Sequence, residues 1–491
     1  MAYNHGVKIS EVPTSILPPV RVSAGIPMIV GTAPVNMADP TNVNKPQLCY
    51  SYAEAVEKFG FVPAKADASG LKKFEYTVSE FLYSQFALYG IAPVIVVNVL
   101  DPTRHTSPVS AVSVTLNASS GSAVIEETGI LLDTVTLRKN EESYAQGDDF
   151  TLAFDDDGHV VITAVKGDSG FRVPVGEALT LSGTKLDPTK VTSADVIGGI
   201  SASGEKKGLE LIGECFPRFR LVPGILIAPG FSQDPAVAAV MAAKCASINQ
   251  HFRAIALVDV PTDTVKSYSN VAEWKNSNNV VDPLQVVCWP MVSLSGMAFH
   301  LSTQLAGLLG RTDSENDDTP YVSPSNKTLQ MTAAVTADGT EVVLGPDEGA
   351  YLNGQGIVTA LNFIGGWKAW GNRTAAYPGV TDVKDTFIPI KRMFVWIGNT
   401  LVQTYWQRVD FPLNRRQVET IVDSVNIWLN GLAARQFILG GRIEFMETEN
   451  PKTDLMDGIA RFHLFFTPPS PNREIDFILE YDPQYLETLF S

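Results

Sequence analysis

The sequence predicts an α/β multidomain protein: an α/β sheet domain with an inserted all-β domain, an α+β C-terminal domain, and extended strand arms at both ends. Three observations carry this. Apolar runs of strand length alternate with helical patterns in two separated blocks. The residues between those blocks switch to Thr, Ser, Val, Gly and Asp in short alternating runs. Each end of the chain holds one alternating stretch cut off from the rest by prolines. The implied boundaries are 1–20 for the N-terminal arm, 21–100 with 194–384 for the α/β domain, and 101–193 for the insertion. Residues 385–470 form the C-terminal domain and 471–491 the second arm.

At the start, Val7 and Ile9 alternate with Lys8 and Ser10, and Pro13, Pro18 and Pro19 follow, so this strand has no obvious partner nearby. The run 26–33 reads as a buried strand, 51–59 as a helix stopped by Gly60, and 75–89 as a helix stopped by Gly90. A continuous apolar strand, 93–100, closes this block. In the insertion, "DDDG" at 155–158 separates two alternating runs and is a hairpin turn by its chemistry. Alternation then resumes with strands at 221–228, 254–260 and 284–289 and helices at 235–250, 262–275 and 296–309. Such a series implies a mostly parallel sheet covered on both faces. Further on, Asn414 with Gln417 three residues later marks a helix start. The helix carries Val418, Ile421, Val422, Val425, Trp428, Leu429 and Leu432 on one stripe and ends at Gly440–Gly441. Two strands follow, at 442–447 and 459–467. A last alternating run places Ile475, Phe477, Leu479 and Tyr481 on one face, behind Pro468, Pro469 and Pro471.

Composition narrows the function. A formal charge of −16 lacks the basic footprint of a nucleic-acid binder. No apolar stretch is long enough to span a bilayer, no basic segment with an apolar core opens the chain, and no direct membrane insertion is expected. Cys49, Cys215, Cys245 and Cys288 lie far apart and read as reduced, buried thiols. Catalytic signatures fail one by one. Gly199 and Gly204 have phosphate-loop spacing, but Glu205 stands where a lysine must reach the phosphate. "PGFS" at 229–232 lacks the nucleophile-elbow pattern. The histidines are scattered singly, so no metal site is read, and the acidic runs 155–157 and 313–318 read as a turn and a solvated loop. No catalytic residue and no cofactor is expected. One charge feature stands out. Between residues 391 and 442 lie seven cations, Lys391, Arg392, Arg408, Arg415, Arg416, Arg435 and Arg442, against Asp410, Glu419 and Asp423. The difference, seven minus three, is +4 in an acidic chain, which suits a face presented to an acidic partner.

The stretch "LNFIGGWKAWGNRTAAYPG" (361–379), followed by "FIPIKRMFVWIGNTL", is unlike an ordinary connection. With "HGVKISEV", "ADVIGGI", "VPGILIAPGFS", "RAIALVDVP", "YVSPSN", "LNGQGIVTALNF" and the final strand, in that order, it resembles the contractile tail sheath proteins of tailed bacteriophages and related injection devices. The resemblance covers nearly all of the chain except the insertion. It implies a virion protein, assembled in the host cytoplasm, that polymerises with copies of itself into a helical cylinder around the tail tube and contracts. Its partners would be the tube protein and the baseplate and tail terminator proteins. It also implies that the arms join sheets of neighbouring subunits through Val7, Ile9, Val12, Ile475, Phe477, Leu479 and Tyr481. The C-terminal domain would face the tube through Lys391, Arg392, Arg415, Arg416 and Arg435. A surface-binding, adhesin-like protein is the alternative, and an α/β enzyme a more distant one. Isolated terminal strands serve a woven lattice and give an enzyme nothing.

Overall fold

The structure, a computed structural model, describes residues 23–489 apart from Ser69 and Ser169. Val7, Ile9 and Val12 lie outside the described residues. The centre is an eight-stranded sheet in the order Gln47–Cys49, Val94–Asn98, Pro27–Gly31, Ile225–Ile227, Ile255–Asp259, Gln285–Cys288, Ile357–Asn362 and Trp367–Trp370. Its six inner strands are parallel and only the two edge strands run antiparallel. Every residue from Val94 to Asn98 and from Ile255 to Asp259 is buried, as strands covered on both faces require. Leu257 packs into a core with Met241, Cys245, Leu305 and Leu309, whereas Val258 packs into a second core with Val271, Val287, Trp289 and Leu352. Gly224 opens the strand Ile225–Ile227 where the backbone of Ala24 crosses. A Cβ there would sit 2.1 Å from the Ala24 carbonyl oxygen, so no side chain fits.

Local signals placed several elements correctly. Ser51 caps the helix Tyr52–Phe59 by accepting from the Glu54 amide, and Gly60 ends it at φ +74°. Gly90, left-handed, ends the helical run that starts at Thr77, whose second half, Tyr83–Tyr89, is wound as a π-helix. "DDDG" joins the antiparallel strands Phe150–Phe154 and Val160–Ala164, with the Asp155 carboxylate accepting from the amides of Asp157 and His159.

Residues 106–186 form a four-stranded sheet built on Thr106–Thr115 and Ala178–Leu186 and a three-stranded one built on Val160–Ala164. These sheets enclose their own core, with Leu116, Leu137, Phe150, Ile162 and Leu181 fully buried. The chain then returns to the central sheet. After it come the helices Ile388–Tyr405 and Arg415–Ala434 and a two-stranded sheet, Gly440–Glu444 with His463–Thr467. Met393, Trp396, Ile397, Val425, Leu429 and Ile443 make the core between them.

Three expectations are corrected. The stretch after Trp289 is not yet helix: Met291–Leu294 and Met297–Phe299 form a hairpin whose turn, Ser295–Gly296, has both residues at positive φ, and the helix spans Leu301–Ser314. The helix expected from 262 begins at Tyr268. Gly440–Gly441 do not end a helix. The helix stops at Ala434 and the two glycines open a strand, where the side chain of Phe466 on the partner strand packs close over Gly441. Residues 471–482 lie in no strand of the described chain. A single strand has no ladder to join, and an alternating sequence alone does not supply one.

Candidate assembly surfaces

The C-terminal run keeps its apolar side chains in solvent. Ile475, Phe477, Leu479 and Tyr481 are 66, 81, 93 and 75% exposed, and Ile478, on the opposite phase, is 88% exposed. Burying each such side chain is worth about 1.5–3 kcal/mol, a gain that the described part of this chain leaves unused.

The small sheet of the C-terminal region offers an edge. Along Gly440–Glu444 the outer side is closed at Ile443: its amide donates to Asn426 Oδ1 at 3.0 Å, and its carbonyl accepts from Asn426 Nδ2. Asn426 projects from the helix Arg415–Ala434, which therefore covers this edge. The other strand, His463–Thr467, has no second partner strand among the described residues. Both its faces carry aromatics: on one His463 stacks on Phe465 at 4.1 Å with Arg442 over Phe465, and on the other Phe394 meets Phe466 at 4.3 Å. Unpaired N–H and C=O groups in a row are a template for one more strand.

The basic stretch divides once its partners are seen. Arg392 is 2% exposed, bonded by both terminal nitrogens to the buried Asp313 carboxylate, and also donates to the Ala24 carbonyl at 3.1 Å. It cannot face a partner and leaves the expected surface set. Lys391 is mostly covered and paired with Asp385 at 2.7 Å. Arg435 pairs with Asp317 and lies over Phe437. These three cations are offset by acids outside the counted interval, which the +4 did not show. Arg415 and Arg416 remain. The Arg415 side chain is 91% exposed and touches only Glu419 one turn on. Arg416 is exposed and forms no ion pair among the described residues. Both occupy the first turn of a helix capped by Asn414, where a cation opposes the helix dipole. In the stretch of chain that leads to them, the side chains of Trp406, Val409, Phe411 and Leu413 are exposed.

A buried polar cluster at the C-terminal end of the parallel strands was not legible in the sequence. The Asp259 carboxylate accepts from the Ser302 amide at 2.9 Å and from the hydroxyls of Ser302 and Ser232. Glu80 accepts from the His300 amide and meets His300 Nδ1 at 2.9 Å. Burial pulls the imidazole pKa down, but the charge and hydrogen bond of Glu80, with Asp259 behind, push it up to about 9. The serines bond to a carboxylate rather than to the imidazole, so the cluster holds strand ends to the helix Leu301–Ser314 and does not assemble a nucleophile with a base. The four cysteines are free and buried, and burial raises the thiol of Cys49 to about 12. Among the described residues no cluster of three or more His, Cys, Asp or Glu could hold a metal ion, and no helix is long and apolar enough to cross a membrane.

No family model matches the sequence. The chain is 29% identical to the tail sheath protein of Burkholderia phage BcepMu, over 99% of this chain and 98% of that protein. This chain is a homologue of phage tail sheath proteins. A putative prophage major tail sheath protein of Pseudomonas aeruginosa is 27% identical over 59% of the chain and 73% of its own length. Among solved structures, a chain of the anti-feeding prophage baseplate matches with a TM-score of 0.57 and 15% identity, covering 98% of this chain and all of that one. The sheath complex of an extracellular contractile injection system, in its contracted state, matches with a TM-score of 0.57 and 12% identity, covering 99% of both chains. The mixed α/β, multi-sheet fold is therefore that of contractile sheaths, from end to end of the sheath homologue.

Proposed function

We propose that this protein is the repeating subunit of a contractile tail sheath. It polymerises into a helical cylinder around a tail tube and, when triggered, contracts and drives the tube through the host envelope. The observation that carries this reading is the presence, within one chain, of an apolar C-terminal run held in solvent and an open strand edge at His463–Thr467. A surface that fits a copy of itself elsewhere on the molecule makes a head-to-tail contact, and such contacts propagate into helices. In this reading the arm of one subunit adds a strand to the sheet of the next, through main-chain hydrogen bonds. The N-terminal arm, with Val7, Ile9 and Val12, makes a second such link. Links of this kind survive rigid-body rotation of the bodies between them, so contraction needs no nucleotide and no catalytic residue.

The finer organisation follows the same reading. Residues 21–100 and 194–384 form the sheath body, 101–193 an outward insertion, and 385–470 an inner domain. Arg415 and Arg416, with the apolar side chains that precede them, meet the tube. Baseplate and terminator proteins cap the cylinder, and assembly takes place in the host cytoplasm. Electron microscopy of the purified full-length protein, alone and with its tube protein, tests this. Striated hollow cylinders are expected. Monodisperse particles under both conditions would refute it.

A further inference from the structure

The motifs that stand out in the sequence without an evident role converge on one cavity. "YVSPSN", "LNGQG" and "AWGNRT" are separated by some tens of residues, yet Tyr321, Asn353 and Arg373 from them line a cavity of about 640 Å3. Its remaining wall is the root of the C-terminal arm, 469–474. Arg373 is fixed in that wall. Its guanidinium lies 3.7 Å from the Phe387 ring centre and 4.3 Å from that of Tyr377, and Nη1 donates to Thr386 Oγ1 at 2.9 Å. No carboxylate pairs with it among the described residues. Burial and the nearby Arg473 both disfavour its charge, and Lys327 adds another cation to the lining. The carboxylate in the lining, Glu474, is paired with Arg473 at 2.9 Å, so the rigid Arg373 guanidinium has room for an anion of its own.

The position of the cavity points to the source of that anion. The open strand His463–Thr467 runs at its Thr467 end directly into 469–474. A strand added along that edge would end where the chain enters the wall of the Arg373 cavity. The apolar run of the arm is bounded by a carboxylate on each side, Glu474 before Ile475 and Asp482 after Tyr481.

We propose that Arg373 is a socket for a carboxylate of the C-terminal arm of a second copy, which fixes the register of the added strand. The carboxylate is Glu474 if the arm enters antiparallel to His463–Thr467 and Asp482 if it enters parallel. The inference rests on the sheath reading above. Main-chain pairing holds an added strand at any register, and one charge-assisted fork at its end selects a single one.

The test compares wild type, Arg373→Gln, Arg373→Lys, Glu474→Gln and Asp482→Asn for the concentration at which cylinders form, with thermal unfolding of each unassembled protein as the control. Arg373→Gln is expected to raise that concentration about 10- to 100-fold, the scale of a hydrogen bond to a charged group. One arm variant should reproduce this, and joined to Arg373→Gln it should add nothing. Arg373→Lys should recover part of the loss, since the charge stays and the fork goes. Asp482 lies outside the body and reports on assembly even if Arg373→Gln unfolds, while Glu474, which lines the cavity in its own chain and pairs with Arg473, is read beside Arg473→Gln, which breaks that internal pair without removing the carboxylate. Wild-type assembly by both arm variants would overturn the socket while leaving the sheath reading intact. Failure of wild type to assemble even with tube protein would overturn both.

Discussion

Replacing Arg392 by methionine should loosen the junction between the C-terminal helices and the central body. The guanidinium and the Asp313 carboxylate are almost fully buried, 3% and 2% exposed at their side chains, and they join the helix Ile388–Tyr405 to the helix Leu301–Ser314. Burial raises the Asp313 pKa against the pull of Arg392, so the carboxylate depends on that partner. Removing one member of a buried pair costs about 3–5 kcal/mol, because the other charge stays behind without compensation. Asp313→Leu should cost a similar amount. The double variant Arg392→Met, Asp313→Leu leaves no orphan charge and frees only the Ala24 carbonyl, a loss of about 1–3 kcal/mol. It should therefore be more stable than either single variant, with a coupling energy of roughly 3 kcal/mol or more. Several cores unfold in a chain of this size, so the measurement must be local. Hydrogen exchange in peptides covering 388–405 and 301–314 serves this purpose. Each single variant should exchange roughly a hundred- to a few thousandfold faster there than wild type, and the double variant much less so. Additive losses in the double variant would refute the argument that the charges depend on each other.

Other expectations follow from the same structure. The His300 pKa is raised above the unfolded value of about 6.5, so its contribution is complete below that pH and is lost as the pH rises through about 9. The thermal midpoint of wild type should thus fall relative to that of His300→Gln between pH 7 and 9, and a constant difference would contradict the assignment. Lys275, donating to the carbonyls of Gln355 and Tyr377, has a pKa lowered by burial to about 8, and cancels in that comparison. Asn426→Ala should cost about 1–3 kcal/mol by uncovering the Ile443 amide and carbonyl, and hydrogen exchange in peptides covering 415–434 and 440–444 reads this locally. Arg415→Glu with Arg416→Glu should leave helix stability nearly unchanged, since the gain of acids at a helix N-terminus is offset by loss of the Arg415–Glu419 pair, while weakening assembly on the tube. Cosedimentation with tube protein at wild-type level would remove these residues from the tube-facing surface.

Much of the fold could be read in the chain because its signals are local. The buried strands announce themselves as continuous apolar runs, Gly60 and Gly90 stop helices where a left-handed residue is needed, and Asn414 caps the helix after it. What escaped depends on contacts distant in sequence. Nothing near Arg392 reveals that Asp313 buries it, and nothing near His300 points to Glu80. The Ser295–Gly296 turn lay unnoticed between a strand and a helix because two short strands flank it. The motifs around Tyr321, Asn353 and Arg373 stood out by composition, but only folding brings them to one cavity. The C-terminal run fails to form a strand for a different reason. Its sequence has the right period, but the ladder it needs is not in the described part of its own subunit.

The central claim is that the arms weave the subunits together. Truncation after Ser470 removes the exposed apolar run and leaves the buried cores untouched. Electron microscopy of the truncated protein with tube protein, beside full-length protein under the same conditions, tests the claim most directly. The account predicts cylinders from the full chain, and folded but unassembled particles from the truncated one. Regular cylinders from the truncated chain would contradict it.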